Sequence, residues 1–333
     1  MTEDKSPRLG TPDLGVGVGL RVPHYRAILE QRPSVDFFEI ISENFMVEGG
    51  KPLYHLDAVL ESYRVVQHGV SLGIGSVEPL NQDYLRRLKQ VLRRVKSPWV
   101  SDHFCWGGAA DVNLHDLLPL PYTAEAVKLV AERARQIQDF LEVPFALENT
   151  SSYLSYQQST MPEWEFVSEV AERADIGLLF DVNNVYVSAY NHDFDPFEFV
   201  KNVPHHRIVQ IHLAGHTNLG RYIIDTHDGH VIDRVWELYR ETIERTGPVS
   251  TLIEWDDHIP ELPVLLAEAE KARGARNEAL AARAARVARG LPAGAVPPRP
   301  EPYRFERRAA PNGPHGWQQG GPRESAATDE ATP

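Results

Sequence analysis

The sequence contains a single cysteine, Cys105, among its 333 residues. One thiol excludes an intramolecular disulfide framework, a cysteine-rich zinc site and an iron–sulfur cluster. The sequence also lacks an apolar run of the roughly 18 residues that a membrane-spanning helix needs. Its first residues, MTEDKSPRLG, lack the hydrophobic segment of a secretory signal. We therefore expect a cytoplasmic protein in which Cys105 is buried as a small hydrophobic side chain.

Basic residues are scarce relative to acidic ones. The sequence has 34 Lys and Arg against 47 Asp and Glu, a formal net charge of −13. A general nucleic-acid binder would normally present a basic field, so this class is disfavoured. The charge is also uneven, because 11 basic and 7 acidic residues lie from Glu270 onward, against 23 and 40 before it. The acidic excess therefore belongs to the first 269 residues, which carry −17 against +4 for the remainder.

The composition changes near residue 270, which predicts a domain boundary there. An Ala- and Arg-rich stretch, EALAARAARVARG, is followed by a segment rich in Pro and Gly. Such a composition is typical of a helix followed by disorder. We predict one folded domain over residues 10–270, a helical extension over 271–291 and a disordered tail over 292–333.

Apolar segments alternate with amphipathic helical segments through the predicted domain. Strands are predicted at 14–20, 36–41, 64–72, 99–106, 144–151, 176–184, 207–215 and 250–256. Each is mostly apolar in its first half, as expected for strands covered on both faces. Eight such strands, each followed by a helix, predict an α/β fold, a (β/α)8 TIM barrel. The rival is an open doubly wound sheet, but Gly15, Gly17 and Gly19 do not match the G-x-G-x-x-G spacing of a dinucleotide loop.

Side chains of the kind that bind metals follow the predicted strands, from the third onward. They are His68, Asp102, His103, Glu148, Asn149, Asp181, Asn183, Asn184, His212, His216, Asp225, His227, Asp228, Glu254 and Asp256. The carboxyl ends of barrel strands form the active-site face of this fold. Inward-facing side chains repeat every second residue along a strand, so we expect Asp181 and Asn183 to point into the same interior.

Several of these polar residues lie in strongly apolar segments, such as FALENT, GLLFDVNN and VQIHLAG. An unpaired carboxylate there would cost several kcal/mol or would hold a proton, and a bound cation removes that cost. Imidazole and carboxylate ligands without thiolate suit Fe(II), Mn or Zn. Because about ten candidates exceed the three or four protein ligands of one catalytic ion, we expect two or three metals that share carboxylates.

The motifs together resemble a known family. They are FFEIISENFM, QHGVSL, SDHFCW, LENTSSY, FDVNNVYVSAYNH, QIHLAGH, IDTHDGHV and IEWD. In this order they resemble the multinuclear non-heme iron-dependent oxidative enzymes, relatives of the methanobactin and bufferin maturation oxidases. That family was long an uncharacterised group of xylose-isomerase-like TIM barrels. The resemblance covers roughly residues 13–270 and does not include the tail.

The resemblance implies two or three iron ions, in a mixed Fe(II)/Fe(III) state, at the mouth of the barrel, with O2 as co-substrate. By position, the first iron and its bridge match His68, His103 and Glu148; the neighbouring iron matches Asp181, His212 and Glu254; and a third, less constantly occupied site matches Asn183, Asp225 and His227, with His216 beside it.

Members of the family use O2 to modify ribosomally made peptides, commonly at cysteine. Many need a small partner protein that binds the leader of the precursor. The resemblance therefore implies an oxidoreductase that acts on a ribosomal precursor peptide together with a leader-binding partner, in natural-product biosynthesis. Asp102 and Asn149 are predicted to orient the ligands beside them, and Glu43 and Asn44 are predicted to face the substrate.

Two other interpretations stay open. A zinc or manganese hydrolase or sugar isomerase would use the same barrel and similar ligands. The xylose-isomerase-like architecture also hosts a zinc-dependent DNA-repair endonuclease, but that activity would need a basic rim, which a domain at −17 disfavours. The third interpretation is a non-catalytic barrel that binds a metal or a partner.

Overall fold

The computed structural model describes residues 7–109, 112–299, 301 and 303–305. Eight parallel strands form a closed barrel in which each strand pairs with the next one along the chain and the last pairs with the first. They are β1 (Val16–Gly19), β2 (Phe38–Ile41), β3 (Val65–His68), β4 (Val100–His103), β7 (Phe145–Glu148), β8 (Gly177–Asp181), β9 (Ile208–Leu213) and β12 (Ser250–Ile253). This arrangement confirms the predicted TIM barrel.

Helices cover the outside of the barrel, and two hairpins extend its loops. The helices are α1 (Tyr25–Gln31), α2 (Lys51–Leu60), α3 (Gln82–Val95), α4 (Ala124–Leu141), α5 (Glu163–Ala174), α6 (Val182–His192), α7 (Pro196–Asn202), α8 (Asp233–Thr246) and α9 (Leu262–Ala288). One hairpin joins β5 (Trp106–Ala109) to β6 (Val112–Leu118), and the other joins β10 (Thr217–Asn218) to β11 (Ile223–Ile224). Among the described residues, no helix combines the length and apolarity needed to cross a membrane.

The interior of the barrel is built in two layers. The lower layer is a separate apolar cluster with one residue from each barrel strand or the residues just before it: Leu14, Phe37, Val66, Trp99, Ala146, Leu179, Val209 and Leu252. Side chains two residues further along a strand point the same way. Two residues beyond members of this cluster lie Glu39, His68, Glu148, Asp181 and Glu254, all buried. The sequence therefore places a layer of ionisable groups directly above an apolar floor.

The end of the chain differs from a simple helix followed by a tail. The predicted extension over 271–291 continues a helix that begins at Leu262, so α9 is one element of the barrel shell. Within the predicted tail, the Tyr303 backbone N–H donates to Asp195 Oδ2 (2.8 Å), and the Phe305 ring lies 5.1 Å from that of Tyr190. The remainder of the predicted disordered tail, residues 300, 302 and 306–333, lies outside the described residues.

Candidate metal centre

The carboxyl ends of the barrel strands bring the predicted ligands onto one face. Three groups of imidazole and carboxylate side chains meet there, each with ligand atoms within 4.8 Å of one another. The groups are His68, His103 and Glu148; Glu148, Asp181, His212 and Glu254; and His227, Glu254 and Asp256. Because Glu148 and Glu254 each belong to two groups, the three form one continuous cluster, called the metal centre below.

The register of the sheet sets this arrangement. His103 pairs with Glu148 across β4 and β7, and Asp181 pairs with His212 across β8 and β9. Paired residues lie side by side and point to the same face of the sheet. The cluster is therefore a direct consequence of barrel closure.

The first group has two imidazoles that share one carboxylate oxygen. Nε2 of His68 lies 3.2 Å and Nε2 of His103 lies 3.3 Å from Glu148 Oε2. The Nδ1 atoms are held elsewhere: that of His103 donates to the Gly69 carbonyl oxygen (3.1 Å), and that of His68 contacts Ser101 Oγ (2.9 Å). In a neutral ring, an Nδ1 that donates leaves a lone pair on Nε2. Both Nε2 atoms face the same carboxylate oxygen, and in the neutral form of His103 the Nε2 lone pair points at it, an arrangement that a cation between them would stabilise.

Electrostatics at the first group also favour positive charge. Burial acts to lower the pKa of His103, but Glu148 and Asp102 outweigh it and raise the pKa to about 9. For His68, burial lowers the pKa well below its usual value, with His103 and His212 adding to the effect. The carboxylates thus favour a positive charge between the two rings, although only His103, and not His68, accepts a proton there.

The second group is organised around His212. Its Nδ1 lies 3.0 Å from Glu254 Oε2 and 3.5 Å from Glu148 Oε1. Its Nε2 lies 3.2 Å from Glu39 Oε2, and because a carboxylate only accepts, Nε2 is the donor. Glu39 therefore holds the ring through Nε2, and Nδ1 faces the carboxylates of the cluster. This is the carboxylate–histidine pairing that commonly orients metal ligands.

Five buried atoms of the metal centre have no hydrogen-bond partner among the described residues: Glu148 Oε1 and Oε2, Asp181 Oδ2, His212 Nδ1 and Glu254 Oε2. Buried polar atoms are nearly always satisfied, and an uncompensated buried carboxylate costs several kcal/mol. Burial also raises the pKa of Asp181 well above its usual value, which shows the same cost. Nitrogen and oxygen donors without thiolate suit iron, manganese or zinc. Each of the first two groups could hold a cation, and Glu148 belongs to both.

The third group is largely satisfied by its own contacts. His227 Nε2 lies 2.9 Å from Asp225 Oδ1, and His227 Nδ1 lies 3.2 Å from Glu254 Oε2. Asn183 donates to Asp225 Oδ1 (2.7 Å), while the Asp256 carboxylate is paired with the Arg21 guanidinium. His227 has φ 45°, a left-handed conformation that is uncommon for histidine and that recurs at functional sites. Glu254 Oε2, which this group shares with the second one, is its buried atom without a hydrogen-bond partner among the described residues.

Comparison with known proteins assigns the chain to a family. The model of the RiPP precursor modification enzyme family MbnB/TglH/ChrH matches residues 15–277. The chain belongs to this family. RiPPs are ribosomally synthesised and post-translationally modified peptides. A UPF0276 protein of Anaeromyxobacter sp. (strain Fw109-5) is 52% identical over 269 residues, covering 81% of this chain and 95% of the relative. A UPF0276 protein of Caulobacter vibrioides (strain NA1000 / CB15N) is 53% identical over 260 residues, covering 78% and 93%.

Solved structures with the same architecture are more distant in sequence. D-psicose 3-epimerase from Clostridium cellulolyticum H10 has a TM-score of 0.53 at 11% identity, covering 80% of this chain and 99% of the epimerase. A xylose isomerase domain protein from Planctomyces limnophilus has a TM-score of 0.52 at 14% identity, covering 80% and 98%. Endonuclease IV from Thermus thermophilus has a TM-score of 0.51 at 13% identity, covering 79% and 99%. These likenesses confirm the xylose-isomerase-like barrel alone.

Two residues predicted as ligands of the third site lie at its edge in this family member. Asn183 lies on helix α6 and not on strand β8, so the expected alternation with Asp181 is wrong. The strand stops because Asp181 Oδ1 accepts the Asn184 backbone N–H (2.6 Å) and begins the helix. His216 Nδ1 contacts Asn183 Oδ1 (2.7 Å), and burial lowers its pKa to about 4. Because the amide oxygen accepts from Nδ1, Nε2 of the neutral ring carries the lone pair that a metal ligand needs.

Three of the four residues predicted to orient ligands or to face the substrate bind the backbone around the centre. Asp102 accepts the His103 backbone N–H (2.7 Å), although the His103 ring is held by the Gly69 carbonyl. The Asn149 side chain brackets the backbone of Asp181, donating to its carbonyl (2.9 Å) and accepting from its N–H (3.0 Å). Glu43 Oε1 accepts two backbone N–H groups of the loop after β3, at 2.8 Å each, and Asn44 beside it is exposed.

Sequence reasoning missed Glu39 and Ser101, which hold His212 and His68. A charged residue in the middle of the apolar strand FEII is the signal that could have indicated Glu39. Gln210 belongs to the same network, since the Trp99 indole donates to its Oε1 (2.8 Å) and its amide nitrogen donates to Glu39. This chain of contacts anchors the metal centre to the apolar floor of the barrel.

Proposed function

We propose that this chain is a multinuclear non-heme iron oxidase that uses O2 to modify a ribosomally made precursor peptide at a cysteine, with a small leader-binding partner protein. Family membership supports the peptide substrate. The observation that carries the proposal is Glu148, whose two carboxylate oxygens have no hydrogen-bond partner among the described residues. They face imidazoles of two different ligand groups. A carboxylate that faces two ligand groups in this way suits a bridge between a pair of ions.

The proposed ligands divide into three sites. The first would be formed by His68, His103 and Glu148; the second by Glu148, Asp181, His212 and Glu254; and a third, weaker one by Asn183, His216, Asp225 and His227. When bound, iron would supply the one-electron chemistry with O2 that amino-acid side chains lack. A two- or three-iron centre accounts for every unpartnered ligand atom of the cluster.

The protein's own part is to hold these ligands in one protonation state and one orientation. Glu39 and the Gly69 carbonyl fix the rings of His212 and His103 through the nitrogens that do not face the cluster. Asp181 is fixed at its other oxygen by the first turn of α6. A preorganised site of this kind needs little rearrangement when ions or substrate bind.

The loops around the metal centre are suited to a peptide. Within the described residues, several large hydrophobic side chains are exposed on the loops at the carboxyl ends of the strands: Val22, Val47, Val77, Leu114, Tyr153, Leu154, Leu219 and Tyr222. They come from the loops after β1, β2, β3, β4, β7 and β9, so they surround the mouth of the barrel. Apolar side chains exposed on these loops are available for contacts with a peptide chain. A small polar sugar would not need this rim.

The metal content of anaerobically purified protein tests the proposal. We expect at least two iron ions per chain and O2 consumption that depends on a cysteine-containing precursor peptide. Exchange of His68 for Gln should remove iron without unfolding the protein. His206→Gln is the matched control, because His206 is an exposed surface histidine paired with Glu172. A folded wild type that binds only zinc or manganese and consumes no O2 would support the hydrolase or isomerase alternative.

A further inference from the structure

A cavity of about 220 Å³ is lined in part by the loop that follows Glu148. Its walls come from the residues after β6, the loop after β7, the start of α5 and the end of α6. Its largest apolar side chains are Leu120, Tyr122, Leu154, Tyr156, Trp164 and Phe194. We call this cavity the aromatic pocket.

The loop after β7 connects the aromatic pocket to the metal centre. This loop leaves the barrel at Glu148, and its Tyr153 hydroxyl accepts the backbone N–H of Asp225 (2.8 Å). The next residue, Leu154, lies on the wall of the pocket and is 42% exposed. One short loop therefore separates the pocket from the proposed third metal site.

The two ionisable groups Glu163 and His192 of the pocket are already paired within the protein. The Glu163 carboxyl is hydrogen-bonded with Tyr122, and burial raises its pKa to about 8, so it is neutral at pH 7. His192 Nε2 lies 2.9 Å from Ser152 Oγ, and burial lowers the pKa of its ring. Neither group places a charge in the pocket at neutral pH. The cavity thus presents aromatic and aliphatic walls to whatever enters it.

We propose that the aromatic pocket binds one aromatic side chain of the substrate peptide, at a position flanking the residue that is modified. The proposal rests on the proposed function, which supplies the peptide. A cavity of about 220 Å³ is smaller than the roughly 300–1,000 Å³ of sites for whole drug-sized ligands, and it suits a single side chain. The rings of Tyr122, Tyr156, Trp164 and Phe194 offer edge and face contacts to a further ring. The pocket would select the sequence around the modified residue.

Binding of a small probe tests the proposal without the unidentified peptide. N-acetyl-para-fluoro-L-phenylalaninamide is titrated with the full chain and followed by fluorine NMR, with N-acetyl-L-alaninamide as a competitor that lacks the ring. A probe of this size in a preformed apolar pocket is expected to bind with Kd of roughly 1 mM. The alanine compound should not displace it. Failure of the fluorinated probe to show saturable binding would overturn the proposal.

Two variants locate the binding. Ser155→Trp fills the pocket from its exposed edge and should raise the Kd of the probe at least about tenfold. Gln157→Trp is the control: it lies on the same loop but outside the pocket lining, and it should leave the Kd unchanged. Leu154→Asp changes an exposed residue of the same pocket wall, and it should raise the Kd of the probe to a similar extent. Equal binding by the wild type, Ser155→Trp and Leu154→Asp would place the probe elsewhere and contradict the proposal.

The outcome is independent of the metal chemistry. The probe has no thiol, and its binding is measured on metal-free and metal-loaded protein in parallel. Saturable binding in the pocket together with a redox-silent metal would refute the oxidase and leave the pocket in place. An iron-loaded, O2-consuming protein that does not bind the probe would refute the pocket and leave the oxidase in place.

Discussion

Replacement of Glu148 by Gln should remove two metal ions at once. Its Oε2 lies 3.2 Å and 3.3 Å from the Nε2 atoms of His68 and His103, and its Oε1 lies 3.5 Å from His212 Nδ1. Gln keeps the volume of the side chain but removes its charge and one of its two acceptor oxygens. Asp181→Asn is the matched comparison, because Asp181 belongs to only one of the two groups. It should therefore cost one ion and leave the first group loaded.

The size of the effect follows from the stabilisation that each ion confers. An ion present at about 100 times its Kd stabilises the folded state by about 2.7 kcal/mol. In a domain of this size, 1 kcal/mol shifts Tm by about 2–4 °C, so each ion should raise Tm by roughly 5–10 °C. Two ions should raise the Tm of the wild type by roughly 10–20 °C. The rise should be about half as large for Asp181→Asn and close to zero for Glu148→Gln.

The assay compares the metal-free and iron-loaded forms of each variant under anaerobic conditions. Iron per chain is determined by atomic emission, and Tm is determined by calorimetry on the same samples. His206→Gln should behave as the wild type does. The bridging role of Glu148 would be refuted if Glu148→Gln lost one ion only, or if Asp181→Asn lost as many ions as Glu148→Gln.

Three further predictions concern residues outside the ligand set. Glu39→Gln, which weakens the hold on His212, should lower iron affinity at the second site about 10–100-fold in a metal titration and leave the first site unchanged. Glu163→Gln should flatten the pH dependence of Tm between about 4.5 and 8. Burial raises the pKa of Glu163 in the folded state to about 8, whereas in the unfolded state the carboxyl ionises near 4.5. Between these two values only the unfolded state releases the proton, so Glu163 lowers the stability of the folded wild type as the pH rises. Equal pH dependence of Tm in the wild type and in Glu163→Gln would contradict this. Phe305→Ala should lower the free energy of unfolding by about 1–2 kcal/mol in a denaturant titration, because half-buried aromatic contacts are lost. The exposed Arg304→Ala should have no effect.

The fold and the main ligand set could be predicted from the sequence because both depend on the alternation of strand and helix segments and on which residues lie at the strand ends. In a closed parallel barrel the carboxyl ends of the strands converge whatever the lengths of the loops. Polar residues at the ends of apolar runs, such as Glu148 and His212, therefore had to meet. No side-chain geometry was needed for that inference.

Features that depend on local turns or on barrel closure could not be predicted from the pattern of apolar and polar residues in the sequence. Asn183 looked like an inward-facing strand residue because the apolar run continues through it, but the capping of α6 by Asp181 turns the backbone one residue after the strand. Glu39 lies 173 residues from His212, and only the closed barrel brings them together. Tyr303 and Phe305 lie in a segment whose composition indicates disorder, yet their rings pack against the rings of Phe197 and Tyr186.

Spectroscopy of the iron in the anaerobically purified wild type tests the central claim most directly. Mössbauer spectra of protein enriched in iron-57 report both the number of irons per chain and whether they are coupled. The account predicts at least two irons per chain, with magnetic coupling that disappears in Glu148→Gln. A single uncoupled iron, or a centre that contains zinc or manganese in place of iron, would contradict it.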